Sequence, residues 1–343
     1  MADSTPPVIP GWVCLDKLGS GGMATVWRAR QIAVDRVAAL KVLSPEFAKT
    51  QADVDRFRDE ARAAASISHP GLVKIFDVFK AGGRFCIAME CVDGRSLAAV
   101  LRENGRLSES DALALASSVA ETLGCAWKKQ RLVHLDLKPE NILLSDKGEV
   151  KIADFGLSRS LKTSQSEGDA GTDEEFEICG TPAYMSPEQA RGDADLDARA
   201  DMYSLGATLF HAVSGKRLFD GVPDTQIPPL QVSSECGLPS TSLVSPPFVA
   251  LLRRLLAKRP EDRFKSWDDV SAAVEAVTAG KFPRGRAPDP LSVSSTLAPQ
   301  GAAAAPRRLA RLMAPLSTAR ARRVALAVLA AAAAALAVSL LIR

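Results

Sequence analysis

The residues best suited to chemistry lie in segment 134–141 and at Asp154, thirteen residues beyond its end. Asp136 carries a carboxylate that can accept a proton from an incoming hydroxyl group, and Lys138 carries a charge that can neutralise a transferred phosphoryl group. Asn141 and Asp154 offer oxygen ligands of the kind that Mg²⁺ binds together with phosphate oxygens. Each residue type is common in loops, but their joint spacing indicates metal-assisted phosphoryl transfer.

A glycine-rich segment, 19–22, lies between two strand-like runs near the N-terminus. Gly19 and Gly21 have no Cβ, so their backbone amides can approach a phosphate group closely. Because the segment does not open a helix, it does not match a dinucleotide-binding fold. A glycine-rich hairpin that binds no ligand is the alternative.

Lys41 ends the hydrophobic run 37–41, twenty residues after Gly21. A lysine in such a strand points either to solvent or into a cleft, and a buried ammonium group without a partner would be costly. Glu60, one turn after Phe57 in a predicted helix at 54–65, offers the counter-charge. A solvent-exposed Glu60 is the alternative.

Strands in the first part of the chain and helices in the second must position these residues. Apolar runs predict strands at 12–18, 25–30, 37–43, 72–78 and 85–90. Helices are predicted at 112–129, after a capping signature at Ser108 and Asp111, and at 198–213, ending at Gly215. A hairpin of the runs 142–144 and 150–152 returns the chain so that Asn141 and Asp154 meet. This order predicts an α+β fold in two lobes.

The composition is that of a folded protein with reduced thiols. The chain has 343 residues, of which 47% are hydrophobic and 24% charged, which excludes extensive disorder and a small disulfide-linked scaffold. A formal charge of +3 is too small to indicate nucleic-acid binding. The six cysteines form no C-x-x-C pair, which favours reduced thiols over disulfides or a zinc site.

The C-terminal run 324–342 has no charged residue over 19 positions. As a helix it would be about 28 Å long, close to the roughly 30 Å hydrocarbon thickness of a bilayer. Six arginines between 307 and 323 precede it and only Arg343 follows, so the positive-inside rule places the preceding residues in the cytoplasm. The sequence thus predicts a transmembrane helix, and an alanine-rich helix packed on the domain is the alternative.

Together, these motifs resemble those of eukaryotic-type (Hanks-type) serine/threonine protein kinases, and among them the bacterial membrane-anchored branch. The resemblance covers roughly residues 12–275 and also includes Asp154-Phe155-Gly156 and the segment 180–188. It implies a two-lobed kinase fold at 12–280, with a β-rich N-lobe at about 12–92 and a helical C-lobe at about 93–280. A leader at 1–11, a basic Pro/Ala/Arg linker at 281–323 and a transmembrane helix at 324–342 complete the predicted organisation.

The resemblance also implies a nucleotide site. Gly19, Gly21 and Val26 would form the loop over the ATP phosphates, and Lys41 would hold the α- and β-phosphates while pairing with Glu60. Asp136 would be the catalytic base, and Asn141 and Asp154 would hold Mg²⁺, or Mn²⁺ in its place. The adenine would be enclosed by Leu18, Val26, Ala39 and Leu143, next to the gatekeeper Met89 and a hinge formed by Glu90, Cys91 and Val92.

Lys138 and Thr181 indicate the substrate. In serine/threonine kinases a lysine two residues after the base and a threonine before the Pro-Ala-Tyr segment flank the reacting hydroxyl. The resemblance therefore implies transfer of the ATP γ-phosphate to serine or threonine of proteins, with autophosphorylation. A pseudokinase that acts as a membrane-tethered scaffold and a kinase for small molecules are the alternatives.

Two further pairs and one departure complete the resemblance. Glu188 is expected to pair with Arg263, and Asp201 is expected to brace the backbone of the catalytic loop. Leu135 replaces the arginine that in this family receives an activation-loop phosphate, and leucine cannot bind phosphate.

The predicted location is the inner (cytoplasmic) membrane, crossed once, with the kinase domain in the cytoplasm. The expected partners are proteins bearing serine or threonine and the membrane itself, and no nucleic acid. A homodimer is left open.

Overall fold

The computed structural model describes residues 6–21, 24–44, 61–62, 64–154, 181–235 and 237–284. The N-terminal part forms a five-stranded antiparallel sheet in the order β1-β2-β3-β5-β4. Its strands are β1 (Trp12–Ser20), β2 (Ala24–Gln31), β3 (Arg36–Leu43), β4 (Ile75–Ala81) and β5 (Arg84–Met89). The predicted strands are confirmed within one or two residues at each end, except the fourth, which begins and ends three residues later than predicted.

The two faces of this sheet differ because side chains alternate along a strand. On the face that carries Lys41, Val26 lies directly opposite it across β2 and β3, and Ala39 lies opposite Met89 of β5. A shift of register by one residue would turn Lys41 to the other face. That other face is an apolar cluster of Ile9, Trp12, Trp27, Ala29, Ala38, Leu40, Val42, Cys86 and Ala88.

The second part of the chain is mainly helical. Its helices are α1 (Leu97–Asn104), α2 (Glu109–Gln130), α3 (Pro187–Arg191), α4 (Ala198–Ser214), α5 (Ile227–Ser233), α6 (Pro246–Leu255) and α7 (Trp267–Thr278). The predicted caps are confirmed: the Ser108 hydroxyl accepts from the Asp111 amide, and Gly215 ends α4 with a φ of 73°. The described residues thus form a β-rich and a helical part, as a two-lobed fold requires.

Helix α4 is the centre of the helical part, and 13 of its 17 residues are buried. Gly206 allows α6 to approach it closely, since a Cβ at this position would lie 2.8 Å from the Cβ of Leu255. Gly124 of α2 likewise makes room for Trp267 of α7, at 2.9 Å. The small residues therefore set how closely the helices pack.

A second, three-stranded sheet joins the two parts. It has the order β6-β7-β8, with β6 (Gly94–Ser96), β7 (Ile142–Ser145) and β8 (Val150–Ile152), which confirms the predicted hairpin. The Ile152 amide donates to Gly71 O at 2.7 Å, and the Val73 amide donates to Ile152 O at 3.0 Å. This pairing with β8 occupies the residues before Ile75, which explains why β4 begins later than predicted.

Several predicted segments lie wholly or partly outside the described residues. The predicted helix at 54–65 is described only at 61–62 and 64–65, where it is helical. Among the residues that the structure describes, no helix has both the length and the apolar character needed to cross a bilayer, and the predicted span at 324–342 lies outside them. Within the predicted leader, Ile9 is only 2% exposed and belongs to the apolar cluster of the sheet.

The expected pair of Glu188 and Arg263 is confirmed as a buried bidentate ion pair. The two guanidinium nitrogens lie 2.6 and 2.8 Å from the two carboxylate oxygens. Arg263 also donates to Ala257 O at 2.8 Å and to Arg199 O at 2.7 Å. One side chain thereby fastens α3, the start of α4 and the turn after α6 to one another.

Replacing Arg263 with methionine should lower the free energy of unfolding by about 3–5 kcal/mol, because the Glu188 carboxylate would stay buried without its counter-charge. Urea denaturation followed by circular dichroism measures this change. Arg259→Met is the matched control, because its pair with Glu261 is exposed, and it should leave the unfolding midpoint nearly unchanged. Equal losses in the two variants would contradict the role given to Arg263.

Candidate active site

The loop that contains Asp136 is held by the carboxylate of Asp201 on α4. The His134 amide donates to Oδ2 at 2.7 Å, and the Leu135 amide donates to Oδ1 at 2.8 Å. Leu135 has a φ of 61°, a left-handed conformation that a leucine adopts only when its surroundings enforce it. Burial raises the pKa of Asp201, and the two amides and the nearby His134 oppose that shift. The expected brace of the catalytic loop is thus confirmed.

The imidazole of His134 connects this loop to the segment before Asp154. The Asp136 amide donates to Nδ1 at 3.2 Å, and Nε2 lies within hydrogen-bond distance of Ala153 O, at 2.9 Å. The Ala153 amide in turn donates to Asn141 O at 2.8 Å. The hairpin between Asn141 and Asp154 therefore returns the chain as the sequence predicts.

Asp136 lies at the centre of a polar cluster. Lys138 Nζ is 2.8 Å from Asp136 Oδ2 and donates to Thr181 Oγ1 at 3.0 Å. The Asn141 amide nitrogen donates to the backbone carbonyl of Asp136 at 2.8 Å and to its Oδ2 at 3.2 Å. Since the amide nitrogen is engaged, the carbonyl oxygen of Asn141 is the atom available to a cation. Four of the predicted site residues are thus in direct contact.

Lys41 forms an ion pair with Asp154, with Nζ 2.9 Å from Oδ1. Burial alone would raise the pKa of Asp154, but the charge of Lys41, helped by His134 and Lys138, holds that pKa below its usual value. The carboxylate is therefore ionised at neutral pH. The predicted partner of Lys41, Glu60, lies outside the described residues.

The residues around Asp154 fit a divalent cation. Apart from the ion pair, Asp154 Oδ1 is buried without a hydrogen-bond partner among the described residues. An ionised carboxylate and an amide oxygen are donors that hard cations prefer. Asn141 and Asp154 would hold such an ion together with oxygens of a bound phosphate.

Three of the predicted nucleotide residues lie on one face of the first sheet. Val26, Ala39 and Met89 share the face of Lys41, with Ala39 and Met89 buried. Leu18, by contrast, is 47% exposed, and Leu143 is half-buried on β7 opposite Lys151 of β8.

The glycines of the β1–β2 hairpin are not required by packing. A Cβ at Gly19 or Gly21 would meet no atom within 4 Å among the described residues. Side chains would therefore fill only the open space beside the hairpin, where a phosphate group would approach the backbone. This arrangement agrees with the predicted phosphate loop.

The predicted hinge begins at Glu90, whose carboxylate joins the two parts of the molecule. Its Oε1 is 2.9 Å from Lys151 Nζ, and its Oε2 accepts from the Lys74 amide at 3.3 Å. The Glu90 amide donates to Lys74 O at 2.8 Å, and Lys151 also donates to Pro70 O at 3.1 Å. Val92, the other predicted hinge contact, is half-buried.

The sequence analysis missed two side chains of the site, Lys151 and Gln189. Gln189 donates from Nε2 to Leu135 O at 2.8 Å and accepts the Ser186 amide at 3.1 Å, which completes a capping box at the start of α3. The sequence signal was the Ser-x-x-Gln spacing from residue 186. Lys151 has no such signal, because its partners are remote in sequence.

The arrangement can bring a nucleophile and a phosphate together. Asp136 is placed to accept a proton, and Lys138 lies between this carboxylate and Thr181. Lys41 and the glycine-rich hairpin lie on the other side of the cleft, where the positive charge of Lys41 attracts phosphate oxygens.

Known proteins are similar to this chain in sequence and in fold. A family model described as "Protein kinase domain" matches residues 12–274. The chain is 36% identical over 269 residues to serine/threonine-protein kinase pkn3 of Myxococcus xanthus, over 76% of this chain and 48% of that protein. It is 35% identical over 277 residues to serine/threonine-protein kinase PknL of Mycobacterium tuberculosis, over 80% of this chain and 67% of that protein.

The chain thus spans about half the length of the first of these relatives and two thirds of the second. Among solved structures, the crystal structure of the Mycobacterium tuberculosis PknI kinase domain is similar, with a TM-score of 0.61 and 27% identity. The match covers 78% of this chain and 97% of that domain.

Replacing Asp201 with asparagine should speed hydrogen exchange at the amides of His134 and Leu135 by about tenfold to a hundredfold, because a carboxamide cannot accept from both of them. Mass spectrometry of peptides covering 132–137 measures the exchange. Asp193→Asn is the control, because Asp193 is an exposed partner of Arg191 and should leave this region unchanged. Unaltered exchange in the Asp201 variant would refute the brace.

Proposed function

The chain belongs to the protein kinase family, and on this premise we propose that it transfers the γ-phosphate of ATP to serine and threonine hydroxyls of proteins, including its own. The observation that carries the proposal is the contact chain from Asp136 through Lys138 to Thr181, with separations of 2.8 and 3.0 Å. A base, a cation and a hydroxyl-bearing side chain are thereby fixed at one point of the cleft.

Each residue of this cluster has its own role in the reaction. Asp136 accepts the proton of the substrate hydroxyl while the hydroxyl oxygen forms a bond to the γ-phosphorus. At the same time the bond from that phosphorus to the β–γ bridging oxygen breaks, and ADP leaves. Lys138 offsets the negative charge on the transferred group, and Lys41 orients the remaining phosphates. Asn141 and Asp154 would hold Mg²⁺, or Mn²⁺ in its place, which when bound supplies positive charge to the phosphate oxygens.

The substrate class rests on Thr181 and on the relatives. Thr181 Oγ1 accepts from the same lysine that contacts Asp136, so this threonine borders the position of the reacting hydroxyl. The relatives pkn3 and PknL carry the name serine/threonine-protein kinase. A pseudokinase scaffold is disfavoured because Lys41, Asp136, Asn141 and Asp154 are all present.

Asp136→Asn should reduce autophosphorylation with radiolabelled ATP and Mg²⁺ by at least about a hundredfold, the range expected for loss of a general base. Nucleotide affinity, measured in parallel by calorimetry, should stay within about threefold, because Asp136 does not belong to the nucleotide-facing side of the cleft. Equal phosphate incorporation by both proteins would defeat the role of Asp136. Transfer to metabolites without transfer to protein would indicate a small-molecule kinase.

We further propose that segment 324–342 anchors the protein in the inner membrane of a bacterium, with the kinase domain in the cytoplasm. The support is the uncharged, aliphatic composition of this segment and the arginines that precede it. Linker 281–323, which is rich in proline, alanine and arginine, would let the kinase domain extend away from the bilayer surface.

Deleting residues 324–343 should move the protein from the membrane pellet to the supernatant after carbonate extraction. The double substitution Leu329→Arg and Ala334→Arg should do the same, because each central arginine disfavours insertion by roughly 2.5–3.5 kcal/mol. The matched control, Leu329→Val, should remain in the pellet. Recovery of the double-arginine variant in the pellet would argue against a spanning helix.

A further inference from the structure

A buried glutamine, Gln231, lies on α5 away from the residues assigned so far. Its side chain is 0% exposed, and a buried amide must satisfy its donors and its acceptor within the protein. Nε2 donates to Pro182 O at 2.9 Å, and Oε1 accepts from the Tyr203 hydroxyl at 2.5 Å. The amide therefore connects helix α4 to the residue that follows Thr181.

The orientation of this amide is fixed by its neighbours. Lys258 Nζ donates to the Tyr203 hydroxyl oxygen at 3.1 Å and to the main-chain carbonyl of Gln231 at 2.9 Å. Because an ammonium group can only donate, the Tyr203 hydroxyl directs its own proton to Gln231 Oε1. Nε2 is then the atom that faces Pro182 O.

The turn that Gln231 holds is the surface next to the base. The 3₁₀ turn Pro182–Tyr184 is fixed on one side by the hydrogen bond from Lys138 to Thr181. On the other side, the Tyr184 hydroxyl lies 2.7 Å from His211 Nδ1 of α4. The hydrogen bond from Gln231 reaches this turn from α5, where Ile227 also packs in one apolar cluster with Ala183 and Tyr184.

We propose that Gln231 is a positioning residue for the protein substrate. Its side chain fixes the position of the turn Pro182–Tyr184 relative to Asp136. This inference rests on the proposed function, because it concerns the surface on which a polypeptide would lie during phosphotransfer. Loss of the amide would remove the side-chain donor of Pro182 O and leave it only the Met185 amide at 3.3 Å, so the turn would shift. The residues to which ATP binding is assigned lie elsewhere, so the affinity for ATP should not change.

A purely structural role would give a different result. If Gln231 only stabilised the helical part, its loss would lower the melting temperature and change the KM values for protein and for ATP together. A positioning role changes the KM for the phosphate acceptor alone. The ratio of these two KM values therefore separates the two roles.

The experiment uses the full chain and the peptide that the wild type phosphorylates best from a degenerate library with fixed serine or threonine. Gln231→Leu should raise the KM for this peptide at least fivefold, with kcat within threefold and the KM for ATP within twofold. Tyr203→Phe, which removes only the hydroxyl that orients the amide, should raise the peptide KM in the same direction. Gln226→Leu, at an exposed position just before α5, is the matched control and should behave as the wild type.

Two outcomes would overturn the inference: an unchanged peptide KM in the variants, or an equal rise in the KM for ATP. If Gln231→Leu does not fold, Tyr203→Phe carries the test alone, by the same criteria. A wild type that binds ATP yet phosphorylates no peptide or protein would refute the proposed function itself, and this result is distinct from both outcomes above.

Discussion

One buried carboxylate determines where the catalytic loop lies. Asp201 accepts the amides of His134 and Leu135, and these bonds hold Leu135 in a left-handed conformation of a kind that costs about 1–3 kcal/mol. Because Asp201 belongs to the almost fully buried helix α4, the loop takes its position from the core of the helical part. Asp136, Lys138 and the turn to Asn141 follow from that attachment.

Contacts extend from this loop to both parts of the molecule. The His134 ring reaches Ala153 O, next to Asp154, which in turn pairs with Lys41 on β3. Lys138 extends the other way, to Thr181 and so to the turn held by Gln231. Asp154 also has a positive φ, 57°, so two strained residues flank the reacting groups. The strain is maintained by the buried hydrogen bonds and ion pairs around it.

Much of this site could be predicted because its signals are local. Apolar runs predicted β2 and β3, and the pairing of these strands puts Lys41 and Val26 on one face of the sheet. The spacing of Asp136, Lys138 and Asn141 within one short loop indicated their common role, and the structure brings them into contact. The prediction that Lys41 pairs with Glu60 is untested, since Glu60 lies outside the described residues.

The remainder depends on partners far apart in sequence. Gln231 bonds a main-chain carbonyl 49 positions away, and any residue could supply that carbonyl, so no spacing reveals the contact. The late start of β4 has the same cause, because Leu72 pairs with Ile152 across the chain. Tertiary pairing of this kind overrides the apolar pattern that predicted a strand beginning at residue 72.

The ion pair between Glu90 and Lys151 holds the two parts of the molecule together at one end of the cleft. It fastens the start of the predicted hinge to β8 at one end of the cleft, so we expect any widening of the cleft to be smallest at that end. Met89 lies opposite Ala39, whereas Ala24 at the hairpin lies opposite Leu43, four residues and roughly 13 Å further along β3. Displacements between the two parts should therefore be larger beside the β1–β2 hairpin than beside Met89, and a nucleotide bound as we propose would leave with its phosphates first.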